Sequence, residues 1–549
     1  MRAFVWCLIS ILIVIKNIKG SSSDDSSSYD SSSYYYYSQK SSIKSLKCND
    51  KRLIDVAHEI DGEIFTRTNT ESKLYSRLSS QWNAEFNNLM PSAIIMVESA
   101  NDISIILLKL IIPCSESIKF SVRSAPLGGH LWSGYSVIDN GIVIDLSRLN
   151  NIQFSKNDDY LLELEPGVNQ NWANQYTAPY LQIFPTSGDC NQFAFGGFLQ
   201  GGGLSLFIRS AGLSADYIEK ADVVLMNGDI ITATKYNRYS DLLYGIKGGG
   251  AGNFGIVTKY HLSTFIPSTQ VISFEVYWLL SSFENNHEKL KLFLRTWSYL
   301  QKGNKYKEFT SWFVLLFDNV LNGYVFRMLA IWNGDVNEGY RFWNDVYLFR
   351  CECEHLIITE RSNVFTTNAW NAVEIHQATF GGQQPLENNV IDARTVKYEW
   401  NDAILTQMVN IMISHINDIN ELRYIWLLVC YGGNMLSNDP LNKETSFGHR
   451  DAVGDITLFI GSGDGDINSA IDRLNEIRSD FFDEYVSPFY YPNHPLSIAP
   501  VENIPVAYYD CINKPKLYQT LVQIKNKYDP NNLLNNPVTI DINQRCEQY

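Results

Sequence analysis

The sequence has no run of lysine or arginine residues, and acidic residues outnumber basic ones by 59 to 44, for a formal net charge of −15. A nucleic acid partner would need cationic side chains to neutralise its phosphates, so this composition disfavours nucleic acid binding. The hydrophobic fraction of 45% allows well-packed interiors, and 549 residues exceed one ordinary core. We therefore expect two domains.

The sequence also has no Asn-x-Ser/Thr sequon, although an ordinary secreted eukaryotic protein of this size usually carries a few. Nine cysteines are compatible with export but are too few for a dense disulfide scaffold. The Cys-x-Cys pattern of Cys351 and Cys353 has no second cysteine pair, which argues against a zinc site, so we expect no bound metal. The pairing of these two cysteines and of Cys430, Cys511 and Cys546 stays open.

The N-terminus lacks an apolar run long enough for a confident membrane span. Its apolar residues occupy 3–15 and precede a junction of small residues. This pattern predicts a signal peptide over residues 1–20, and hence a secreted protein with no stable membrane partner. A membrane anchor is the alternative, because Lys16 and Lys19 are unusual before a cleavage site. Residues 21–45 are rich in serine and tyrosine, which predicts a disordered tether.

The apolar pattern predicts a strand-rich first half and a second unit built on an antiparallel sheet. In the first half we expect helices at 100–111 and 169–176 and strands at 91–97, 119–123, 141–146, 160–164, 221–226 and 230–233. Between about 268 and 466, strands alternate with helices at 283–300 and 401–416, which predicts a sheet with helices on one face. A last helix at 514–528 ends at an Asp-Pro pair.

Glycine is concentrated in three stretches, 127–135, 186–203 and 247–258. Glycine lets the backbone come close to a flat or charged ligand, because no side chain intervenes. The first stretch carries His130 and the second carries Cys190. The pattern predicts a cofactor bed with two reactive anchors.

Several motifs follow one another between about Trp82 and Ile540. They read VRSAPLGGHLWSGY, GDCNQFAFGGFLQGGG, GLSADYIEKADVVLMNGDIITA, DLLYGIKGGGAGNFGIVT, CYGGNM with ETSFGHR, and LYQTLVQIKNKYDPNNLLNNPVTI. In this order they resemble the berberine bridge enzyme-like FAD-linked oxidases, whose FAD-binding domain is of the PCMH type and which belong to the vanillyl-alcohol oxidase superfamily.

The resemblance implies an α+β fold of two domains, in which an FAD domain is split in sequence around an antiparallel-sheet substrate domain. We expect the FAD domain at 46–265 and the substrate domain at 266–494. The C-terminal berberine-bridge-like segment, 495–549, would return to the FAD domain. The resemblance also implies a disulfide between Cys48 and Cys114.

The same resemblance implies FAD attached by two covalent bonds, to His130 and to Cys190. An imidazole nitrogen and a thiolate are nucleophiles able to add to an oxidised flavin, and attachment would raise its redox potential. A loop histidine and a small buried cysteine are the alternatives. Further cofactor-binding positions are implied in the glycine-rich stretches, namely Gly128, Gly129, Ser133, Gly134, Tyr135, Gly196, Gly197, Gly201, Gly202, Gly255, Ile256 and Val257.

Tyr508 and Tyr431 are the catalytic residues that the resemblance implies. The family's acidic or amide residue two positions before Tyr-Gly-Gly is Val429 here, which cannot act as a base. Tyr508 keeps the tyrosine of the family's Asn-Tyr-Arg-Asp element and is the candidate base, which requires a pKa well below about 10. An ordinary packed tyrosine is the alternative. His449 and Arg450 are weaker candidates, with a structural role as the alternative.

The implied function is that of a secreted FAD-dependent oxidoreductase that takes hydride from an alcohol carbon of a small molecule, with carbohydrate as the leading substrate class. Molecular oxygen would be the acceptor and hydrogen peroxide the product. Phe193 lies three residues after Cys190, where its bulk would slow oxygen and favour a dehydrogenase. Two other functions remain open. One is oxidation of a small aromatic or alkaloid-like molecule; the other is a structural or virion-associated flavoprotein, which Val429 and the missing sequons favour.

Overall fold

Three β-sheets organise the described part of the chain. The computed structural model describes residues 50–67, 73–125, 133–155, 161–180, 193–380, 388–397, 400–415, 422–436, 445–462, 467–486, 489–490, 504–544 and 546. All of them belong to one compact unit, Ser45–Tyr549. The predicted signal peptide and tether lie outside the described residues.

The first sheet contains β1 (Glu63–Thr66), β2 (Ala93–Met96), β3 (Phe120–Arg123) and β4 (Ile142–Asp145). Its strand order is β1-β2-β4-β3, with β4 parallel to both neighbours and β1 antiparallel to β2. Each of the last three strands lies inside a predicted one. Ile142, Val143 and Ile144 are fully buried, as expected for a central parallel strand.

The second sheet has five strands, which are β5 (Ile152–Phe154), β6 (Leu162–Leu164), β7 (Ile218–Val224), β8 (Ile230–Thr234) and β9 (Ile256–Leu262). Their order is β5-β6-β9-β7-β8, and all pairs are antiparallel. The predicted strands at 160–164, 221–226 and 230–233 correspond to β6, β7 and β8.

The third sheet confirms the predicted antiparallel architecture. Its seven strands are β10 (Val271–Leu279), β11 (Phe309–Asp318), β12 (Gly323–Trp332), β13 (Asn363–Thr367), β14 (Asn389–Val396), β15 (Arg423–Cys430) and β16 (Gly454–Gly461). The order is β13-β10-β12-β11-β15-β16-β14, with every neighbouring pair antiparallel. Its central strands are almost entirely buried, so both faces of the sheet are covered.

The α-helices are α1 (Asp50–Ala57), α2 (Lys73–Ser79), α3 (Ala100–Ile106), α4 (Gln170–Thr177), α5 (Phe195–Gln200), α6 (Ile208–Ala211), α7 (Ser240–Ile246), α8 (His287–Gln301), α9 (Val336–Arg341), α10 (Phe349–Cys351), α11 (Ala369–Phe380), α12 (Asp402–Ser414), α13 (Ile467–Ile477), α14 (Asp483–Tyr485), α15 (Ile504–Tyr509) and α16 (Pro515–Tyr528). A π-helical turn, Leu107–Ile111, continues α3 to the end of the helix predicted at 100–111.

Two helices cover one face of the third sheet, as predicted. The side chains of Asn286 and Asn401 cap α8 and α12 by accepting hydrogen bonds from the backbone N–H three residues on. Trp297 of α8 donates from Nε1 to Ser311 Oγ at 2.7 Å, and its ring packs edge-on against Phe313. Side chains alternate along a strand, so Ser311 and Phe313 of β11 face the helices and Trp312 faces the other way.

The chain returns to the second sheet through the C-terminal helix α16. Pro515 occupies its first turn, where a missing N–H costs nothing. Within the helix, Lys525 Nζ donates to Asn253 O at 3.1 Å, and beyond it Ile540 N donates to Asn253 Oδ1 at 2.9 Å. Tyr518 of α16 also lies in the same apolar core as strands β7 and β9. The domain boundaries themselves stay a prediction.

The described cysteines pair as Cys351–Cys353 and Cys511–Cys546, and Cys430 is a buried free thiol. Cys114 is disulfide-bonded, while its predicted partner, Cys48, lies outside the described residues. No helix in the described ranges has both the length and the apolar character needed to span a membrane. Nor do those ranges contain a cluster of three or more side chains suited to a metal ion.

Candidate functional site

One cavity of about 500 Å³ collects most of the predicted cofactor-binding positions. Those in its lining are Ser133, Gly134, Tyr135, Gly196, Gly197, Gly255, Ile256 and Val257. They come from the segment before β4, the start of α5 and the start of β9. The fold therefore brings parts of all three glycine-rich stretches to one place.

Two predicted positions lie outside this lining. Gly201 and Gly202 end helix α5, where Gly201 N donates to Gly197 O at 3.2 Å and Gly202 N donates to Leu199 O at 3.1 Å. These two glycines therefore terminate a helix, and their contact with the cofactor stays a prediction. Gly128, Gly129, His130 and Cys190 lie outside the described residues, and their roles stay predictions.

We call the cavity wall formed by residues 86–257 and 534–537 the floor. Its adjacent glycines, Gly196 and Gly197, differ in what surrounds them. A Cβ on Gly196 would lie 1.9 Å from Ser124 Oγ and 3.0 Å from Pro166 Cβ, so this glycine is required for protein packing. Among the described residues, a Cβ on Gly197 would have one heavy atom within 4.0 Å outside its own helix, Ala251 Cβ. Gly197 therefore opens into the cavity, and a side chain there would occupy ligand space.

A second part of the floor comes from the loop before β4. Gly134 has φ +65°, a conformation that favours glycine, and a Cβ there would lie 2.7 Å from the ring of Phe86. Next to it, Tyr135 is mostly buried, and burial raises the pKa of its hydroxyl to about 12. The loop therefore presents backbone and a neutral tyrosine to the cavity.

Arg123, the arginine of the first motif, was not among the predicted site residues, but it also lines the floor. Arg123, at the end of β3, is buried and pairs with the buried Asp145 of β4, with Nε to Oδ2 at 2.7 Å. Its Nη1 donates to Leu78 O at 2.7 Å. The sequence alone shows an arginine at the end of an apolar strand. Its ion-pair partner follows only from the parallel register of β3 and β4, which pairs Arg123 with Asp145.

The third sheet supplies the other wall of the cavity. We call the three cavity-lining residues Trp312, Leu427 and Val429 the roof. Trp312 of β11 pairs in register with Val429 of β15, and Leu427 lies two residues before Val429 on the same face. Val429, the position where the family has an acid or amide, is thus in the cavity wall. The roof itself is apolar.

Tyr508 lies next to the floor in a cluster of aromatic rings. It is fully buried, with ring centroids 6.0 Å from Tyr490 and 6.4 Å from Tyr509, and it interacts electrostatically with Tyr135. Its hydroxyl has no hydrogen-bond partner within the described part of the chain. Burial raises the pKa of Tyr508 well above its usual value, which is the reverse of the lowering that a base would need.

Tyr431 is held at the end of β15 by a buried arginine. Arg209 of α6 donates from Nη1 to Tyr431 O at 2.6 Å and to Gln301 O. Its Nη2 lies 3.1–3.4 Å from the carbonyl oxygens of Gly303, Lys305 and Tyr306. Burial lowers the pKa of this guanidinium. The side chain joins a helix of the floor segment to the segment that carries the roof.

The Tyr-Gly-Gly motif has a steric explanation at the same place. A Cβ on Gly432, which has φ +96°, would lie 2.6 Å from Arg209 Nη1. A Cβ on Gly433 would lie 2.1 Å from Arg209 O. Both glycines are therefore needed for the backbone to pass against Arg209.

His449 and Arg450 have structural surroundings. Arg450 forms a buried ion pair with Asp216, and Nη1 lies 3.0 Å from Oδ2. His449 is fully buried near the rings of Phe447 and Phe489, and burial lowers its pKa to about 3. A neutral imidazole packed among rings fits the structural alternative.

The remaining residues of interest were not found from sequence. The roof side chains Trp312 and Leu427 lie outside the motifs, and the tail residues Asn535, Asn536 and Pro537 lie in the last motif but were not among the predicted site residues. Strand register places the first two, and the docking of the C-terminal tail places the others. Phe193, which was singled out, lies in the lining.

Comparisons with known proteins support FAD binding. A family model described as an FAD binding domain matches residues 91–234. The chain is 34% identical to "FAD-dependent monooxygenase drtC" of Aspergillus calidoustus over 200 residues, 36% of each chain. It is 27% identical to "Berberine bridge enzyme-like 19" of Arabidopsis thaliana over 244 residues, 43% of this chain and 41% of the relative. These alignments span between a third and a half of the curated relatives.

A solved structure extends the likeness to most of the fold. Glucooligosaccharide oxidase from Acremonium strictum, whose title names a 6-S-cysteinyl, 8α-N1-histidyl FAD, superposes with a TM-score of 0.72 at 16% identity. The match covers 89% of this chain and 98% of that one. At this identity the likeness shows the fold, which is that of a vanillyl-alcohol-oxidase-type flavoprotein.

Proposed function

Since this chain belongs to the berberine bridge enzyme-like FAD-linked oxidoreductases, we propose that it is a secreted enzyme that oxidises an alcohol carbon of a small molecule. Oxygen would be the electron acceptor and hydrogen peroxide the product. The observation that carries the proposal is Gly197 of the floor, which opens into the cavity. Among the described residues, the nearest heavy atom to its Cβ position outside its own helix is Ala251 Cβ at 4.0 Å.

FAD is the cofactor that this floor would hold. A flat, anionic molecule suits a wall of exposed backbone, and the segment from Ser133 to Tyr135 would bind its pyrophosphate. We propose two covalent bonds, through His130 and Cys190, which the linkage named for the solved relative supports. When bound, FAD would supply two-electron, hydride-accepting chemistry.

The residues of the chain would position the substrate and exclude water. Trp312, Leu427 and Val429 would cover the reacting carbon, since an apolar roof removes solvent and strengthens electrostatic interactions beneath it. Tyr508 and Tyr431 keep the catalytic roles proposed from sequence. Burial holds Tyr508 in its neutral form, so as a base it would work against its surroundings.

Carbohydrate is the first substrate class, supported by the glucooligosaccharide oxidase relative. The roof favours a second candidate, a small aromatic alcohol. An indole and two branched aliphatic side chains offer no hydrogen bond to the hydroxyl groups of a sugar beyond the indole N–H, but they pack well on an aromatic ring. A structural flavoprotein is the third candidate, favoured by Val429 in the base position and by the raised pKa of Tyr508.

The test begins with covalent flavin in the wild type, His130→Ala, Cys190→Ala and the double variant. After denaturation, absorbance and mass should show flavin on the wild type and on both single variants, and none on the double variant. Loss of flavin from a denatured, fully loaded wild type would overturn the two-bond proposal.

The reaction is tested by mixing the loaded wild type anaerobically with cellobiose and, separately, with vanillyl alcohol. Bleaching of the flavin by cellobiose supports the carbohydrate class, and bleaching by vanillyl alcohol supports the aromatic class. An unreduced flavin with both probes would contradict oxidation of these two classes and favour the structural flavoprotein.

A further inference from the structure

We propose that Asp455 is a catalytic residue that accepts the hydroxyl proton of the substrate, one strand away from the position where the family carries its acid or amide. The inference rests on the proposed function, since it assigns a proton acceptor to that reaction. It starts from a gap at the roof, because Val429 has no titratable group and Tyr508 is buried in its neutral form.

Strand register places Asp455 beside Val429. β15 and β16 are antiparallel, and their register pairs Val429 with Asp455 and Leu427 with Thr457. Directly paired residues of an antiparallel sheet project from the same face, with Cβ atoms roughly 4.5–5.5 Å apart. The carboxylate therefore projects from the cavity face of the sheet, next to a residue that lines the cavity.

The other face of the sheet confirms this orientation. Asp392 of β14 pairs with Arg478 beyond α13, with Nε to Oδ2 at 2.6 Å, so it points to the helices. Thr395 lies three residues after Asp392 on β14, and side chains alternate along a strand, so Thr395 projects to the face opposite that of Asp392. Thr395 is in register with Asp455, which therefore projects to that same face. The row across the cavity face thus reads Trp312, Val429, Asp455, Thr395.

Asp455 is buried and has a defined orientation. It has no exposed surface, and Thr457 donates a hydrogen bond from Oγ1 to Asp455 Oδ1 at 2.9 Å. Thr457 lies two residues on along the same face, beside Leu427. A polar pair therefore lies beside the apolar pair of the roof.

Two other carboxylates fit the role less well. Glu275 of β10 belongs to the same row, but Leu329 separates it from Trp312, and Oε1 accepts from Arg327 and from Tyr277. Asp139 lines the cavity from the floor, where Oδ1 accepts from Met90 N at 3.0 Å. Asp455 is the one next to the roof position that the family uses.

In the proposed step, the Asp455 carboxylate takes the proton of the substrate hydroxyl while the C–H bond of the same carbon breaks. The hydrogen of that bond leaves with the bonding electron pair, as hydride, to an oxidised flavin. The carbon becomes a carbonyl carbon, the flavin becomes reduced, and Asp455 becomes a neutral acid. Positioned acid–base groups of this kind contribute roughly 10²–10⁴-fold to rate.

The experiment compares Asp455→Asn with Glu275→Gln, the matched control from the same row. With the probe alcohol that reduces the wild type, anaerobic flavin reduction should slow by roughly 10²–10⁴-fold in Asp455→Asn and stay near the wild-type rate in Glu275→Gln. Adding Val429→Asp to Asp455→Asn, which restores a carboxylate one strand over, should recover part of the loss.

A second readout needs no turnover. Removal of a negative charge beside the flavin should raise its midpoint potential in Asp455→Asn and leave it unchanged in Glu275→Gln. If Asp455→Asn fails to fold, Thr457→Val, which removes the orienting hydrogen bond, should give a smaller loss of rate in the same direction.

An unchanged rate together with an unchanged potential in Asp455→Asn would overturn the inference and leave the proposed function standing. A wild type that neither probe reduces would instead count against the proposed function. In that case the midpoint potential of the flavin in Asp455→Asn tests Asp455 by itself. A higher potential than in the wild type supports a carboxylate beside the flavin, and an unchanged potential refutes it.

Discussion

The floor and the roof of the cavity are built in different ways. The floor includes glycines whose missing side chains either let protein segments pack, as at Gly196, or leave space for a ligand, as at Gly197. The roof is made of the side chains Trp312, Leu427 and Val429, which project from a sheet. On the proposed function, the floor would hold the cofactor and the roof would cover the substrate.

The two walls also differ in how their residues are joined to the rest of the molecule. The floor loop is closed by the C-terminal tail through Asn253, which accepts from Ile540 N. Two buried arginines join the segment that carries the roof to the floor segment. Arg209 donates to the carbonyl oxygen of Tyr431, and Arg450 pairs with the carboxylate of Asp216. A change in the floor should therefore affect cofactor loading, and a change at these cations should affect stability.

The largest effect is expected from filling the floor. Gly197→Leu places a side chain in the cavity and should abolish flavin binding, because it takes the space left open at Gly197. Flavin absorbance per protein of the purified variant measures this. Gly323→Leu is the control, since a Cβ there meets Leu279 Cδ1 at an ordinary 3.5 Å away from the cavity. Full flavin content in Gly197→Leu would contradict a cofactor on this wall.

The neighbouring glycine sharpens the same comparison. Gly196→Ala should lower the free energy of unfolding by about 1–3 kcal/mol, because its Cβ would collide with Ser124. Gly197→Ala should leave stability unchanged or raised, since alanine favours a helix more than glycine does. Urea unfolding of the two flavin-free variants measures the free energy of unfolding of each. Equal losses in Gly196→Ala and Gly197→Ala would contradict the view that Gly196 serves protein packing and Gly197 leaves space for a ligand.

The next effect concerns the join between the walls. Arg209→Met should lower the free energy of unfolding by about 3–5 kcal/mol, because several buried carbonyl oxygens lose their donor together. Arg148→Met removes an arginine with two surface ion pairs, to Glu63 and Glu98, and should cost no more than about 1 kcal/mol. Denaturant unfolding compares them, and similar costs would show that Arg209 is not a structural join.

A separate effect is the acid sensitivity of the segment that carries the roof. Burial lowers the pKa of His376 and of His415 to about 3. Below pH 6.5 the unfolded state therefore binds protons that the folded state refuses, so stability present above pH 6.5 is lost as the pH falls toward 3. Each histidine should contribute about 1.4 kcal/mol per pH unit in that window.

Urea unfolding at pH 7 and at pH 5 measures this loss. His376→Gln should reduce the loss between the two pH values by one histidine's share, because glutamine does not titrate. An unchanged loss in this variant would show that His376 is charged in the folded protein or that its burial is relieved.

The secondary structure was largely predictable, since alternation and length identify strands such as β2 and β16 and helices such as α8 and α16. The glycine positions of the floor were also visible in the sequence. A glycine such as Gly134 or Gly197 indicates a place where the backbone lies close to another group. Sequence alone did not show that Gly201 and Gly202 also end helix α5, because a glycine that ends a helix looks the same in sequence as one that faces a ligand.

By itself, the sequence determined the strands, the helices and the glycine-rich wall, because periodicity and missing side chains are local properties of the chain. Only the tertiary structure decided the roof and what lies beside it. Trp312, Val429 and Asp455 are separated by 117 and by 26 residues, and antiparallel pairing alone puts them in one row. The protonation of Tyr508 was decided in the same way, because its pKa depends on the rings that the fold packs around it.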